Sequence, residues 1–282
     1  MSLFSGLEKY GIEKFDDIDV KEKRKTETRR VQKKPTPKPV QKINETDIIF
    51  DKTHICPICD SKFRSKTIKT GKVHLVSQDT DLRPRYQDID SIKYDVIACP
   101  NCGYAALARF FKTIMPSQAK LVKENITKNF TGLSKIEGPY TYDYSLEIYQ
   151  LALANVMVKR AKSSEKAYTC LKTAWLCRGK SESMDGSEPD YEKTIYELEE
   201  DEKSLMLKAY EGFKEAFTKE NFPMCGMDEL TVTYLVAELA RRAGDYDESA
   251  RYISRILTSR VASERIKDKA RAIKELIDED KK

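Results

Sequence analysis

The chain has 282 residues, 40% hydrophobic and 34% charged, with a formal net charge of +5. That length suffices for one large domain or two ordinary ones with a real core. No run approaches the roughly 18 apolar residues that a bilayer-spanning helix needs, so a membrane-embedded protein is excluded. The first residues, Met1 to Gly6, lack the charged-then-apolar layout of a secretory leader, and a cytoplasmic protein is expected.

Charge is unevenly placed. Residues 1–20 carry five acids against Lys9 and Lys14, a balance of −3. Within them Leu3, Phe4 and Leu7 fall on one face of a short helix, with Tyr10, Ile12 and Phe15 just beyond. A helix this short is marginal alone in water, so this segment is expected to order by docking its apolar face, on the helical part of the same chain or on a partner. Residues 21–45 form a second segment. Its 21–42 stretch holds ten basic residues against Glu22 and Glu27, a balance of +8, and includes Pro35-Thr36-Pro37-Lys38-Pro39. With Val31 and Val40 as its only aliphatic residues there, it reads as a disordered linker. Clustered Lys and Arg allow weak, sequence-independent contact with nucleic acid, although no aromatic residue is interleaved to stack on bases.

Residues 46–113 hold the strongest motif, two identical units: Cys56-Pro57-Ile58-Cys59 and Cys99-Pro100-Asn101-Cys102. Two residues between thiolates let both sulfurs point at one ion, and four thiolates complete a closed tetrahedral site, so one structural Zn²⁺ is expected. Iron in a rubredoxin-type site would use the same ligands. A thioredoxin-like redox pair would need one Cys-x-x-Cys on a βαβ unit, and disulfides do not suit a cytosolic setting. With only His54 and His74 in the chain, a His-based catalytic triad is not expected, and His54 is read as a surface residue or a neighbour of the site rather than a ligand.

Phe63 can pack beneath the metal. Residues 67–70 and 72–76 read as strands about Gly71, residues 94–98 as a strand delivering Cys99, and residues 104–111 as a helix. That order suggests a treble clef, with a plain zinc ribbon as the alternative. The intervening run carries Asp79, Asp81, Arg83 and Arg85, which could meet a ligand or partner or could pin a long loop by pairing with one another. Four thiolates with Zn²⁺ would carry −2, reducing the +3 of residues 46–112 to about +1, which weakens nucleic-acid binding by this head alone.

From Pro116 onward, helical periodicity dominates, and residues 114–282 read as an α-helical domain. Ser117 and Ser163-Ser164 sit where caps belong, residues 180–190 read as a polar loop, and a long helix is predicted over about 191–219. The only Trp, Trp175, lies on an apolar stripe and is expected in the core, and Cys170, Cys177 and Cys225 are read as inert packing residues. Around residues 233–257 the turn Gly244-Asp245-Tyr246-Asp247-Glu248, with small Ala237 and Ser249, has the pattern of a tetratricopeptide unit. Residues 149–175 repeat it, but Ala167 and Ser249 lie 82 positions apart, which is no multiple of about 34. The expected fold class is therefore mainly α: an irregular tetratricopeptide-like array of helical hairpins preceded by a small β-rich zinc domain.

Several stretches carry a resemblance: Cys56 to Cys59, Ser77 to Pro84, Tyr94 to Ala106 with the run Cys99-Pro100-Asn101-Cys102-Gly103-Tyr104-Ala105-Ala106, and Lys166 to Leu176. Together they resemble, over about residues 50–280, a bacterial family of uncharacterised proteins with a zinc-ribbon head and a tetratricopeptide-like tail. The resemblance implies metal binding and a bacterial cytoplasmic setting. It supplies no activity. The residues themselves favour a non-enzymatic scaffold that meets protein partners through its helical domain. A nucleic-acid-associated regulator using the zinc head and basic linker is the alternative. A metalloenzyme or redox sensor would need an open coordination position or a labile thiol pair.

Overall fold

The computed structural model describes residues 44–187 and 189–281. The expectations placed on residues 1–43, including the docking residues Leu3, Phe4 and Leu7 and the basic linker, lie outside the described residues.

The described chain opens with a single helical turn, α1 (Glu45–Ile48), capped by the Asn44 side chain. It runs directly into β1 (Ile49–Ile55), which pairs antiparallel with β2 (Lys62–Ile68). In this hairpin His54 lies opposite Phe63, and alternate residues His54, Phe63 and Ser65 are buried. The first cysteine knuckle is its turn. Strand β1 is not evident from the sequence because its alternation is broken: Phe50, Lys52 and Ile55 are exposed. Residues 70–72 form a 3-10 turn, and the strand expected over 72–76 begins later, as β3 (Leu75–Gln78), paired with β4 (Pro84–Tyr86).

The expected strand over 94–98 is split into a 3-10 turn (Ser91–Tyr94) and β5 (Val96–Ala98). The helix expected over 104–111 is corrected: Ala105–Leu107 is strand β6, antiparallel to β5. An apolar run buried on both faces has no polar alternation to distinguish strand from helix, and its alanines favour helix in isolation. Pairing with β5 and packing against α3 override that preference. Each knuckle therefore sits in its own β-hairpin, the ribbon arrangement rather than the treble clef.

Helix α2 (Pro116–Asn125) carries Pro at its first turn, where the missing amide costs nothing. Then come α3 (Tyr142–Val158), α4 (Ser163–Ser183), α5 (Tyr191–Lys219), α6 (Glu229–Arg242), α7 (Tyr246–Thr258) and α8 (Glu264–Asp280). From α3 onward each packs on the next. The polar loop expected over 180–190 is shorter, because α4 continues to Ser183. At the α6–α7 turn, Gly244 adopts φ +77° and the Asp245 side chain accepts from the Glu248 amide. Ser249 Oγ donates to the Ala237 carbonyl at 2.7 Å, so the small residues do mark where α6 and α7 approach. The chain is thus mainly helical, with three two-stranded sheets among the described residues.

One apolar cluster runs from Ile48 and Phe63 through Tyr104, Leu107 and Tyr149 to Trp175, Phe213 and Leu239, so head and helices share a core. A second cluster joins α6, α7 and α8 through Ala237, Ile256 and Ile273. Among the described residues, no helix is long and apolar enough to cross a membrane.

Candidate metal centre

The two knuckles repeat one backbone turn. In the first, the Cys56 amide donates to Ser61 O and the Asp60 amide to Cys56 O. In the second, the Cys99 amide donates to Tyr104 O and the Gly103 amide to Cys99 O. The residue after each second cysteine takes a positive φ, +59° at Asp60 and +73° at Gly103. Asp60 is exposed and tolerates this region as Asp and Asn do. A Cβ on Gly103 would lie 2.7 Å from the Phe130 ring, so that position needs glycine for space as well.

The four sulfurs converge to within 4.8 Å of one another. Cys56 and Cys102 Sγ are 3.5 Å apart, and Cys59 and Cys99 Sγ 3.7 Å apart. A tetrahedral ion with bonds of about 2.3 Å to sulfur would place its ligands about 3.8 Å apart, so the donor set fits a four-coordinate ion with small adjustments. Cys56, Cys99 and Cys102 are buried and Cys59 is exposed. The Ile58 amide donates to Cys56 Sγ at 3.4 Å, and Ser61 Oγ lies 3.0 Å from Cys59 Sγ and 3.5 Å from Cys99 Sγ. The thiols share their protons: hydrogen bonding to Cys56 and Cys99 holds Cys102 well above the usual thiol range, while hydrogen bonding from Cys102 and Cys56 pulls Cys99 far below it. A cation bound here would take the place of those protons, so binding would be linked to proton release.

The helical array seats the second knuckle. Asn155 of α3, fully buried, donates from Nδ2 to Gly103 O at 2.9 Å, and Thr127 Oγ1 donates to Cys102 O at 3.0 Å. Tyr104 is buried and donates its hydroxyl to Phe111 O. Phe63 is buried and packs against Phe111. His54 is buried rather than at the surface, its ring against both Phe63 and Phe111, and it is not among the four clustered cysteines. Asn155 and Thr127 carry no signal in the sequence, because nothing in a helix or 3-10 turn far along the chain announces a contact to a knuckle.

Asp79, Asp81, Arg83 and Arg85 are drawn into the fold. Asp81 is fully buried and pairs with Arg178 of α4 at 2.6 Å; Arg178 also reaches Asp79 at 3.1 Å and Glu202 of α5 at 2.7 Å. Arg83, buried, holds Asp90 at 3.0 Å and Glu182 at 3.1 Å. Arg85, partly buried, pairs with Asp79 and Glu182. Thr80 donates to Glu238 of α6 at 2.6 Å, and Tyr234 donates to Thr80 O. The Asp79–Arg85 and Arg83–Asp90 pairs are local, but the other partners lie on α4, α5 and α6, and Asp81 and Arg83 present no exposed group to a separate partner. Trp175 lies in the core, and burial pushes the Cys170 and Cys225 thiols up to about 12 and the Cys177 thiol up as well, as suits packing residues.

A ribbon with four converging thiolates, seated on a helical array, agrees with one comparison. A family described as "Uncharacterized protein conserved in bacteria (DUF2225)" matches residues 49–277. The chain belongs to this family. No curated protein and no solved structure matches it. Membership in DUF2225 spans both the cysteine ribbon and the helices to α8, and it assigns neither an activity nor an ion.

Proposed function

We propose that this DUF2225 protein is a non-enzymatic cytoplasmic adaptor: one structural Zn²⁺ on Cys56, Cys59, Cys99 and Cys102 holds the ribbon, and the tetratricopeptide-like helices receive a protein partner. The observation that carries the metal is the closed set of four sulfurs, which matches the all-thiolate donors that zinc takes in structural sites and leaves no open coordination position for a reacting water. Bound there, zinc would supply folding energy rather than chemistry. Supporting the adaptor reading is a groove of about 970 Å³ lined by α5, the α6–α7 turn and the end of α8, where Leu207 stands 46% exposed.

Elemental analysis tests the first half: one zinc per chain is expected, and iron in its place refutes it. Affinity purification from the native cells tests the second. A partner retained by the wild type should be lost with Leu207→Asp and kept with Val261→Asp, a change at an exposed apolar residue outside the groove.

A second reading, nucleic-acid association, is favoured by a specific feature. Lys62 and Arg64 are exposed neighbours, two residues apart, on one face of β2, and they follow the +8 segment in sequence. Such binding would be weak, would fall steeply with salt and would vanish on deletion of residues 21–42. Sequence-specific, salt-resistant binding that survives the deletion would replace the adaptor reading.

A further inference from the structure

The groove beside α5 has an unusual electrical asymmetry. Residues 185–202, leading into and along α5, hold nine acids against Lys193, a balance of −8. Residues 21–42 balance at +8. These two segments cancel, and the net +5 is spread over the rest of the chain.

On α5, Tyr196, Glu199, Glu200, Lys203 and Leu207 recur at helical spacing, and all but Tyr196 line the groove. Glu192 and Glu199 are exposed and have no ion-pair partner among the described residues, and Glu200 has only a long contact of 3.5 Å to Lys203. The cations of the opposite wall are already neutralised: Arg241 and Arg242 both bind Glu238, and Arg241 also binds Asp280. The open charge of this face is therefore negative. Tyr196 and Leu207, 65% and 46% exposed, add flat apolar area.

We propose that residues 21–34 of this same chain dock in cis across the acidic rim of this groove, covering Glu192, Glu199 and Glu200. The occupant follows from charge complementarity and from the length of chain that precedes Asn44. Eight of the ten basic residues of 21–42 fall within 21–34. Their long stems can lie on Leu207 while their heads meet the carboxylates, and an arginine can stack on Tyr196. Residues 35–43 make a proline-rich spacer that spans about 28 Å when extended. Single surface ion pairs contribute little, but a tether raises the local concentration towards the millimolar range, where several together hold a segment in place. This inference does not depend on the adaptor reading, since the segment can cover the groove in a chain that takes no partner there; a partner that used Leu207 would compete with it.

Limited trypsin digestion of the full-length protein reads the docking directly, because the proposed contacts are the cleavage sites. When opening is fast, cleavage follows the open population, so docking predicts cleavage within 21–34 at least about tenfold slower than in the free peptide of the same sequence. Protection should disappear in about 0.5 M salt, where screening is strong. It should also disappear in the Glu192→Lys, Glu199→Lys, Glu200→Lys variant with its helical circular dichroism unchanged. Cleavage at the free-peptide rate in low salt overturns the proposal. So does protection that survives high salt, which needs no folded variant to be read, and so does protection that grows with protein concentration, which places the segment on a second copy.

Discussion

Cys99 is the residue on which most of the metal centre turns. It is buried, its amide is bound by Tyr104 O, and its sulfur is 3.7 Å from that of Cys59. Cys99→Ser should bring bound metal from one ion per chain to near zero by elemental analysis. Asp81 is the counterpart in the polar seam. Burial works against its charge, but Arg178, then Arg242 and the Arg83 amide, outweigh burial and hold the carboxyl below its ordinary value of 3.8. Glu238 behaves likewise: burial opposes its charge, and Arg241, Thr80 and Arg242 hold it below 4.5. For a depressed carboxyl the stabilisation is complete above the unfolded-state value and is lost as pH falls through the folded-state one. The seam therefore contributes fully above about pH 4.5 and weakens in acid below that. Asp81→Asn removes one of the three carboxylates that hold half-buried Arg178, which keeps Asp79 and Glu202, and should cost about 1–3 kcal/mol at pH 7 in denaturant unfolding. Its stability should also fall less than that of the wild type between pH 5 and pH 3. A parallel fall in both proteins would remove Asp81 from the acid response.

Helix α4 contains Gly179 in its interior, where alanine would ordinarily stabilise a helix by about 1 kcal/mol. Here a Cβ would lie 2.5 Å from Asp90 Oδ2, 2.7 Å from Arg83 Nη2 and 3.0 Å from the Tyr142 ring. These groups are locked to one another, since Arg83 and Tyr142 both bind Asp90. Gly179→Ala should therefore reverse the usual sign and destabilise by about 1–3 kcal/mol, as overpacking does. A stabilised variant in chemical denaturation would show that the ion pair yields freely. The same close approach explains why α4 outlasts its expected end. Glu182 is held by Arg83 and Arg85, which keeps the last turn wound past the polar sequence that reads as loop.

The whole molecule is bound together by its shared core. The second knuckle is tied to α3 through Asn155, β5 and β6 pack on that helix, and the apolar cluster continues to α6. Stripping the metal with a chelator should thus lower the midpoint of a single cooperative thermal transition, followed by helical circular dichroism, rather than melt the ribbon separately beneath intact helices. Two resolved transitions, the helical one unmoved, would show that ribbon and helices are energetically independent.

The cluster of four cysteines was legible because its chemistry is local: two residues between cysteines make a knuckle wherever the segment sits, and the pair at 56–59 and 99–102 needed no tertiary information. The long helices were legible for the same reason, since the apolar spacing of Leu198, Leu205, Ala209, Phe213 and Phe217 is a property of one segment. So was the turn at Gly244, where a left-handed residue precedes a cap. What the chain alone left open depends on partners distant in sequence. Ala105–Leu107 is a strand because β5 lies beside it, and a doubly buried apolar run has no pattern of its own. Asp81 is a buried anchor because Arg178 stands 97 positions away, and Gly179 is required by an ion pair formed elsewhere. Local spacing determined the cysteine knuckles and the helices; long-range charge pairing and close approach, which only the tertiary structure decides, determined how the ribbon is fastened to them.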